Sequence, residues 1–117
     1  MVVEDDEAPF LIIEDVLDRT EVNLVWVKDG EEAIKLCNKT GRDYFIDLII
    51  MDLYLPRING FEAIKRIKSV NRDIPIVVLT SHSRPHDKKA AFDAGCDDYI
   101  TKPVLEKELL EAVKRNI

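Results

Sequence analysis

The chain has 117 residues, which suits a single domain with one modest hydrophobic core. Its formal net charge of −6 disfavours nucleic acid and anionic membranes as direct partners, and it favours metal cations or basic protein surfaces. No apolar run in the sequence approaches the roughly 20 residues that are needed to cross a bilayer.

The two cysteines and the first residues bear on where the protein works. Cys37 and Cys96 form no close motif, and they are typical of small buried side chains in a reducing compartment. Acids begin at Glu4, which does not fit a signal peptide. We therefore expect a cytoplasmic location.

Strand-like and helix-like segments alternate along the chain, separated by turn residues. The predicted strands, rich in branched apolar residues, are 1–3, 22–27, 48–51, 74–79 and 99–101. The predicted helices are 9–19, 31–38, 61–69, 87–94 and a last one whose inner face carries Leu105, Leu109, Ala112 and Val113. Gly41 and Gly95 are the expected ends of the second and fourth helices.

Unbroken apolar strands that alternate with amphipathic helices predict an α/β fold, a doubly wound parallel sheet with helices on both faces. Functional residues of such sheets lie at the carboxyl ends of the strands. Polar residues fall at four of these ends: Glu4, Asp5 and Asp6 after the first strand, Asp52 after the third, Thr80 after the fourth and Lys102 beside the fifth.

Two carboxylates from neighbouring strand ends repel each other unless one is protonated or a cation lies between them. Oxygen ligands without sulfur or imidazole suit Mg²⁺ or Mn²⁺. We therefore predict a divalent metal site at Asp5 and Asp52, with Glu4 or Asp6 contributing directly or through water.

Lys102 and Thr80 are the side chains that a phosphoryl group at this edge would need. The ammonium offsets negative charge and the hydroxyl donates a hydrogen bond. A carboxylate can itself attack phosphorus and form an acyl phosphate, and Asp52 is the natural candidate. Its partner is then expected to be the metal, or Lys102 when no metal is bound.

Each of these residues also has an ordinary structural explanation. The acids from Glu4 to Glu7 suit the first turn of a helix, and Asp52 could be a turn residue. Thr80 could cap a helix, Lys102 could be a surface lysine, and Tyr99 could be a packing residue. What favours a functional interpretation is that four separate elements bring matched chemistry to one edge.

Four motifs, VVEDDE, DLIIMDLYLPRINGFE, VVLTSHS and AGCDDYITKP, resemble those of receiver domains of two-component response regulators. They extend from Val2 to Pro103, and the remaining tail fits the last helix of that family. The resemblance implies one receiver domain over 1–117, with a flavodoxin-like five-stranded sheet in the order 2-1-3-4-5. Whether it stands alone or belongs to a larger regulator or hybrid kinase stays open.

The resemblance also implies a function for Asp52 as phosphoacceptor in a phosphorelay. The phosphoryl group would come from a phosphohistidine on a sensor histidine kinase or a phosphotransfer protein. Asp5 and Asp52 would ligate Mg²⁺ together with the backbone carbonyl of Tyr54, and Glu4 would act through a metal-bound water. Such a domain is a signalling module and not an enzyme acting on other substrates.

By the same resemblance, Thr80 and Lys102 would contact the phosphoryl oxygens, and the Lys102-Pro103 bond would be cis. Thr80 is expected to move toward the phosphoryl group while the ring of Tyr99 fills the vacated space.

The output surface implied by the resemblance covers roughly 87–116, for a downstream protein or a second copy of the chain. A polar stripe there is either part of that surface or an ordinary solvated face. Its members are Lys88, Lys89, Lys107, Glu108, Glu111 and Lys114.

Three features depart from the family pattern. Only three residues precede the first acids, so the first strand is unusually short or its start is missing. Tyr54 and His82 stand two residues after Asp52 and Thr80, where family members tune how water reaches the acyl phosphate; we expect Tyr54 to shield it. Asn59 replaces the more usual Asp and still suits a turn.

Three alternatives remain. A degenerate receiver would act as an interaction module without phosphorylation. A phosphohydrolase of the haloacid dehalogenase type would need a second Asp where Tyr54 stands. A flavodoxin-like cofactor binder would need a hydroxyl- and glycine-rich loop where the first acids lie, and these acids repel anions.

Overall fold

The computed structural model describes residues 1–38, 46–82 and 84–117, in which five strands and five helices alternate. The strands are β1 (Val2–Val3), β2 (Trp26–Val27), β3 (Ile49–Met51), β4 (Ile76–Thr80) and β5 (Asp98–Thr101). The helices are α1 (Glu7–Leu17), α2 (Gly30–Cys37), α3 (Gly60–Val70), α4 (Pro85–Ala94) and α5 (Glu106–Arg115). The helix end expected at Gly41 lies outside the described residues.

All five strands are parallel and lie in the order β2-β1-β3-β4-β5, which confirms the predicted doubly wound, flavodoxin-like fold. The central strand β1 pairs Val3 with Val27 on one side and with Met51 on the other. The amide of Asp52 donates to the carbonyl of Val3 at 3.0 Å. This pairing brings the residues after β1 and β3 side by side.

The core has two parts, one on each face of the sheet. Alternate strand residues point to opposite faces, so Val2 and Ile50 join one cluster while Val3 and Met51 join the other. The first cluster includes residues of α1 and α5, and the second includes residues of α2, α3 and α4. Both faces of the sheet are therefore covered, as the unbroken apolar strands predicted.

Local sequence explains where several helices begin and end. The side chains of Asp6, Asp29 and Asn59 cap α1, α2 and α3 by accepting hydrogen bonds from backbone amides of the first turn. Asn59 therefore starts a helix, a more specific role than the predicted turn. The fourth helix ends at Gly95, whose φ of 118° is left-handed, as expected.

Several predicted boundaries were wrong. The second strand is confined to Trp26–Val27, since only these residues pair with the two-residue β1, and Val22 is exposed. The fourth helix begins at Pro85, a residue that suits a first helical position because it needs no amide partner there. Leu105 does not lie on the inner face of α5, because it occupies the N-cap position and is 53% exposed.

In the described part of the chain, no helix is both long and apolar enough to cross a membrane.

Candidate functional site

Three acids meet where β1 and β3 end. One carboxylate oxygen from each of Glu4, Asp5 and Asp52 lies within 4.8 Å of the others. Glu4 and Asp52 are buried, whereas Asp5 is exposed. Asp6, the alternative ligand considered from the sequence, instead caps α1 through the amide of Ala8 at 3.3 Å. The sheet pairing thus produces the predicted acidic cluster.

Lys102 lies between two of these acids. Its Nζ is 2.9 Å from Oε2 of Glu4 and 3.2 Å from Oδ2 of Asp52. The lysine is positioned by the end of β5, where its amide donates to the carbonyl of Thr80 at 2.8 Å and the Lys102-Pro103 bond is cis, as expected. The partner that a buried Asp52 requires is therefore present within the protein.

The pKa values of Glu4 and Lys102 reflect this arrangement. Burial raises the pKa of Glu4 to about 7; the hydrogen bond from Lys102 opposes this rise and the charge of Asp52 adds to it. Burial alone would lower the pKa of Lys102, but its hydrogen bond to Glu4 and the charge of Asp52 outweigh burial and raise it. Lys102 therefore stays charged at neutral pH and compensates the neighbouring carboxylates.

The donor set fits a hard divalent cation. All three clustered acids offer carboxylate oxygens, which are the ligands that Mg²⁺ and Mn²⁺ prefer. The loop of Tyr54 adjoins the cluster, because its amide donates to Oδ1 of Asp52 at 3.3 Å. The Tyr54 carbonyl as a further ligand, and Glu4 acting through water, stay predictions.

The backbone of Asp52 and Leu53 is tightly packed against the start of α3. The amide of Gly60 donates to the carbonyl of Leu53 at 2.6 Å. A Cβ atom on Gly60 would lie only 2.4 Å from the carbonyl oxygen of Asp52 and 2.6 Å from Cα of Leu53. Glycine is required here for this close approach, and the Asp52 backbone is held firmly as a result.

The expected switch residues lie on the other side of Asp52 and meet at His82. Thr80 is fully buried, and its Oγ1 accepts from the amide of His82 at 3.3 Å. Tyr99 is half-buried on β5, and its hydroxyl donates to the carbonyl of His82. Thr80 and Tyr99 are thus joined through a single residue of the loop that leads into α4.

The side chain of Tyr54 is 44% exposed and is held by contacts with two other elements. Its ring centroid is 3.8 Å from that of His82, with the planes tilted by 38°. Its hydroxyl donates to Oδ1 of Asp87 at 3.2 Å. The sequence analysis missed Asp87, since an acid in the first turn of a helix is ordinarily explained by the helix dipole.

Part of the polar stripe on the predicted output surface lines a groove, and the output role of this surface stays a prediction. Lys88, Glu108 and Glu111 of the polar stripe line one groove together with Tyr99 and Arg115. The stripe's other members, Lys89, Lys107 and Lys114, are exposed residues that do not line this groove. Arg115, which lines the groove, donates to the carboxylate of Asp98 at 2.7 Å.

Comparison with known proteins agrees with this architecture. A family model described as the response regulator receiver domain matches residues 1–114. The transcriptional regulatory protein YrkP of Bacillus subtilis is 38% identical over 109 residues, which are 93% of this chain and 45% of that protein. The chain spans about half the length of the curated relatives it matches.

Solved structures give the same result. The phosphorylated cyanobacterial phytochrome response regulator RcpA is 33% identical, with a TM-score of 0.82 over 97% of this chain and 86% of its own. The receiver domain of the sensor histidine kinase PA1611 from Pseudomonas aeruginosa, with magnesium in its active-site cleft, is 30% identical, with a TM-score of 0.85 over 97% of this chain and 92% of its own. This chain therefore belongs to the family of response regulator receiver domains, which are signalling modules of two-component systems.

Proposed function

We propose that the domain accepts a phosphoryl group on Asp52 from a phosphohistidine of a sensor histidine kinase or phosphotransfer protein. The observation that carries this proposal is the cluster in which Glu4, Asp5 and Lys102 surround the carboxylate of Asp52. Acids that converge on one carboxylate suit a bound cation, and the adjacent ammonium suits a group rich in anionic oxygens.

The chemistry is a simple displacement at phosphorus. An oxygen of Asp52 attacks the phosphorus atom, a P–O bond forms, and the P–N bond to the donor imidazole breaks. The electron pair of that bond stays on the imidazole nitrogen. Lys102 is already 3.2 Å from Oδ2 of Asp52, so its ammonium can follow the charge onto the phosphoryl oxygens.

Asp5, Asp52 and the Tyr54 carbonyl, with Glu4 through water, are the proposed ligands of Mg²⁺ or Mn²⁺. The cation would neutralise carboxylate and phosphoryl charge during the transfer. Lys102 already contacts one oxygen of Glu4 and one of Asp52, so the ammonium and the cation would compete for these two carboxylates.

The signal would leave the site through Thr80 and Tyr99. A phosphoryl group on Asp52 brings new acceptor oxygens, to which the Thr80 hydroxyl can turn, so that the amide of His82 loses its present acceptor. Tyr99, whose hydroxyl is bound to the same residue, is then free to reorient. The output face at 87–116 would change shape and meet a downstream protein or a second copy of the chain.

Tyr54 and His82 would tune how long the phosphoryl group survives. Their rings are in contact beside the Asp52 loop, where they can limit the approach of water. Replacing Tyr54 by Asn should therefore speed the loss of phosphate, and an unchanged half-life would contradict this role.

We further propose that the domain works in the cytoplasm, contacts neither nucleic acid nor membrane directly, and catalyses only its own phosphorylation and dephosphorylation. The net charge of −6 supports the absence of direct nucleic-acid contact. Any control of transcription would then belong to further domains, as the length of the curated relatives suggests.

The test is the intact mass of the domain after incubation with acetyl phosphate and Mg²⁺. We expect one added phosphoryl group, which is lost in Asp52→Asn and in a sample treated with chelator. A folded protein that still binds Mg²⁺ but gains no mass is then titrated with beryllofluoride, which mimics a phosphoryl group. Saturable binding would indicate that the phosphoryl group is lost too fast to detect, and no binding would contradict phosphorylation on Asp52.

A further inference from the structure

The contact between Tyr54 and α4 has no role in the site described so far. Tyr54 follows Asp52 by two residues, yet its hydroxyl reaches 33 positions along the chain to the carboxylate of Asp87. Its ring also meets Phe61 of α3 edge-on, with centroids 6.3 Å apart. The side chain is therefore held by α3, by α4 and by the loop that connects β4 to α4.

Asp87 is unusual among the acids of the described helices because it is almost fully buried, with 4% of its surface exposed. A buried carboxylate needs partners. Oδ2 of Asp87 accepts from Nε of Arg84 at 3.2 Å, and Oδ1 lies 3.5 Å from Nε2 of His86, in addition to the Tyr54 contact. Arg84 and His86 belong to the N-cap and first turn of α4, so Tyr54 is the partner that joins Asp87 to the loop after β3.

The charge of Asp87 is maintained in this setting. Burial acts to raise its pKa, but hydrogen bonds from Arg84 and Tyr54 and the nearby charge of His86 lower it below the ordinary value. An ionised carboxylate is a stronger hydrogen-bond acceptor than a neutral one. Asp87 thus provides a fixed anionic anchor for the Tyr54 hydroxyl.

From this geometry we infer that Asp87 is a positioning residue, which holds the Tyr54 ring against His82 beside Asp52 and so makes the first turn of α4 part of the cover over the phosphoacceptor. The expected effect of Asp87 on the rate of phosphate loss rests on the proposed phosphorylation of Asp52. The expected position of the Tyr54 ring does not depend on phosphorylation.

If Asp87 holds the Tyr54 ring, the position of α4 affects how easily water reaches Asp52. Movement of α4 away from the sheet would withdraw Asp87 and release the Tyr54 ring, which would admit water to the acyl phosphate. A partner that holds α4 in place would retain the cover and prolong the phosphorylated state. The output side of the domain would in this way influence the lifetime of its own signal.

The kinetic test uses the phosphorylated domain after removal of acetyl phosphate, with loss of the phosphoryl group followed by intact mass. We expect Asp87→Ala to lose phosphate about three- to tenfold faster than the unaltered chain, the range that one hydrogen bond accounts for. Asp93→Ala is the matched control, because Asp93 is an exposed acid on the same helix, paired with Lys89.

A double-mutant cycle separates positioning from a general weakening of α4. Tyr54→Phe removes only the hydroxyl, so Asp87→Ala should add no further acceleration in that background. Independent, additive effects of the two substitutions would overturn the inference, as would an unchanged rate in Asp87→Ala.

A second measurement needs no phosphorylation. Nuclear Overhauser contacts between the rings of Tyr54 and His82 should weaken in Asp87→Ala and persist in Asp93→Ala. Persistence in both would overturn the positioning role whether or not Asp52 is phosphorylated. If the unaltered chain takes up no phosphoryl group but shows the expected ring contacts, the proposed function fails and the positioning role stands.

Discussion

The side chains on the two sides of Asp52 differ in chemical character. One is the acidic side, formed by Glu4, Asp5 and Lys102, whose charges lie just after the strands β1 and β5. The other is the aromatic side, formed by Tyr54, His82, Asp87 and Tyr99, which is joined mainly by single hydrogen bonds and ring contacts. Strand ends fix charges in place, whereas loops and a helix start can rearrange.

This contrast indicates how the proposed cation binding and the proposed signalling would be separated around one carboxylate. The acidic side holds like and opposite charges at short distances, so small movements there cost much electrostatic energy. The aromatic side has contacts worth about 1 kcal/mol each, which an added phosphoryl group can exchange. Substitutions on the two sides should therefore differ in both size and kind of effect.

The largest expected effect is that of Lys102→Met on the acidic side. Removing the ammonium leaves Glu4 and Asp52 buried beside each other, so the free energy of unfolding in chelator should fall by about 3 kcal/mol. Urea denaturation measures this change. Lys107→Met, at an exposed lysine of α5, should change the free energy by less than about 0.5 kcal/mol. Equal losses in the two variants would contradict the comparison.

Asp5→Asn should remove stabilisation by metal and little else, since Asp5 is exposed. Mg²⁺ at 100 times its Kd should stabilise the unaltered domain by about 2.7 kcal/mol. The variant should lose most of this gain at the same concentration, whereas Asp93→Asn should keep it. Thermal unfolding over a MgCl₂ series measures the response, and an undiminished response in Asp5→Asn would place the metal elsewhere.

The pH dependence of stability should distinguish the sides as well. The raised pKa of Glu4 means that the folded state holds this proton more tightly than the unfolded chain. In chelator, stability should therefore be fully present below pH 4.5 and decline by on the order of 2 kcal/mol as pH rises to about 7. Glu4→Gln should flatten the curve, measured by urea denaturation at each pH.

Asp87 on the aromatic side acts in the opposite direction and in another pH window. Because the pKa of Asp87 is lowered, its stabilisation is present above the ordinary aspartate pKa of 3.8 and is lost as pH falls below that value. A decline of the unaltered chain between pH 4.5 and 7 that persists in Glu4→Gln would contradict the assignment of that window to Glu4.

The smallest expected effect is that of Tyr99→Phe. It deletes one hydrogen bond, to the carbonyl of His82, and should cost about 1 kcal/mol of unfolding free energy. The gain in stability from Mg²⁺ should be the same as in the unaltered chain. A weakened metal response in this variant would show that the two sides are not separable.

Much of the fold was predictable because its signals are local and repeated. Unbroken apolar strands between amphipathic helices indicated a parallel sheet, and the family resemblance supplied its order. The second strand was overestimated because its length is set by pairing with the short β1. Leu105 was misplaced because apolar periodicity does not distinguish a helix residue from the one that precedes the helix.

The site residues also differ in whether local sequence signals could predict them. Glu4, Asp5, Asp52 and Lys102 follow strands directly, so the rule for parallel sheets was sufficient to bring them together. Asp87 belongs to the site only through a contact with Tyr54 across 33 positions. Nothing in the residues around Asp87 indicates that contact, since the packing of α4 against the sheet determines that Tyr54 is the partner of Asp87.

The glycine at the start of α3 has one more consequence. A methyl group on Gly60 would collide with the backbone of Asp52, so the backbone after β3 has little room to move toward the start of α3. If Asp52 accepts a phosphoryl group as proposed, we expect the resulting displacement to occur on the side of Thr80 and His82 rather than toward α3. The direction of that displacement would then depend in part on the absence of a Cβ atom at Gly60.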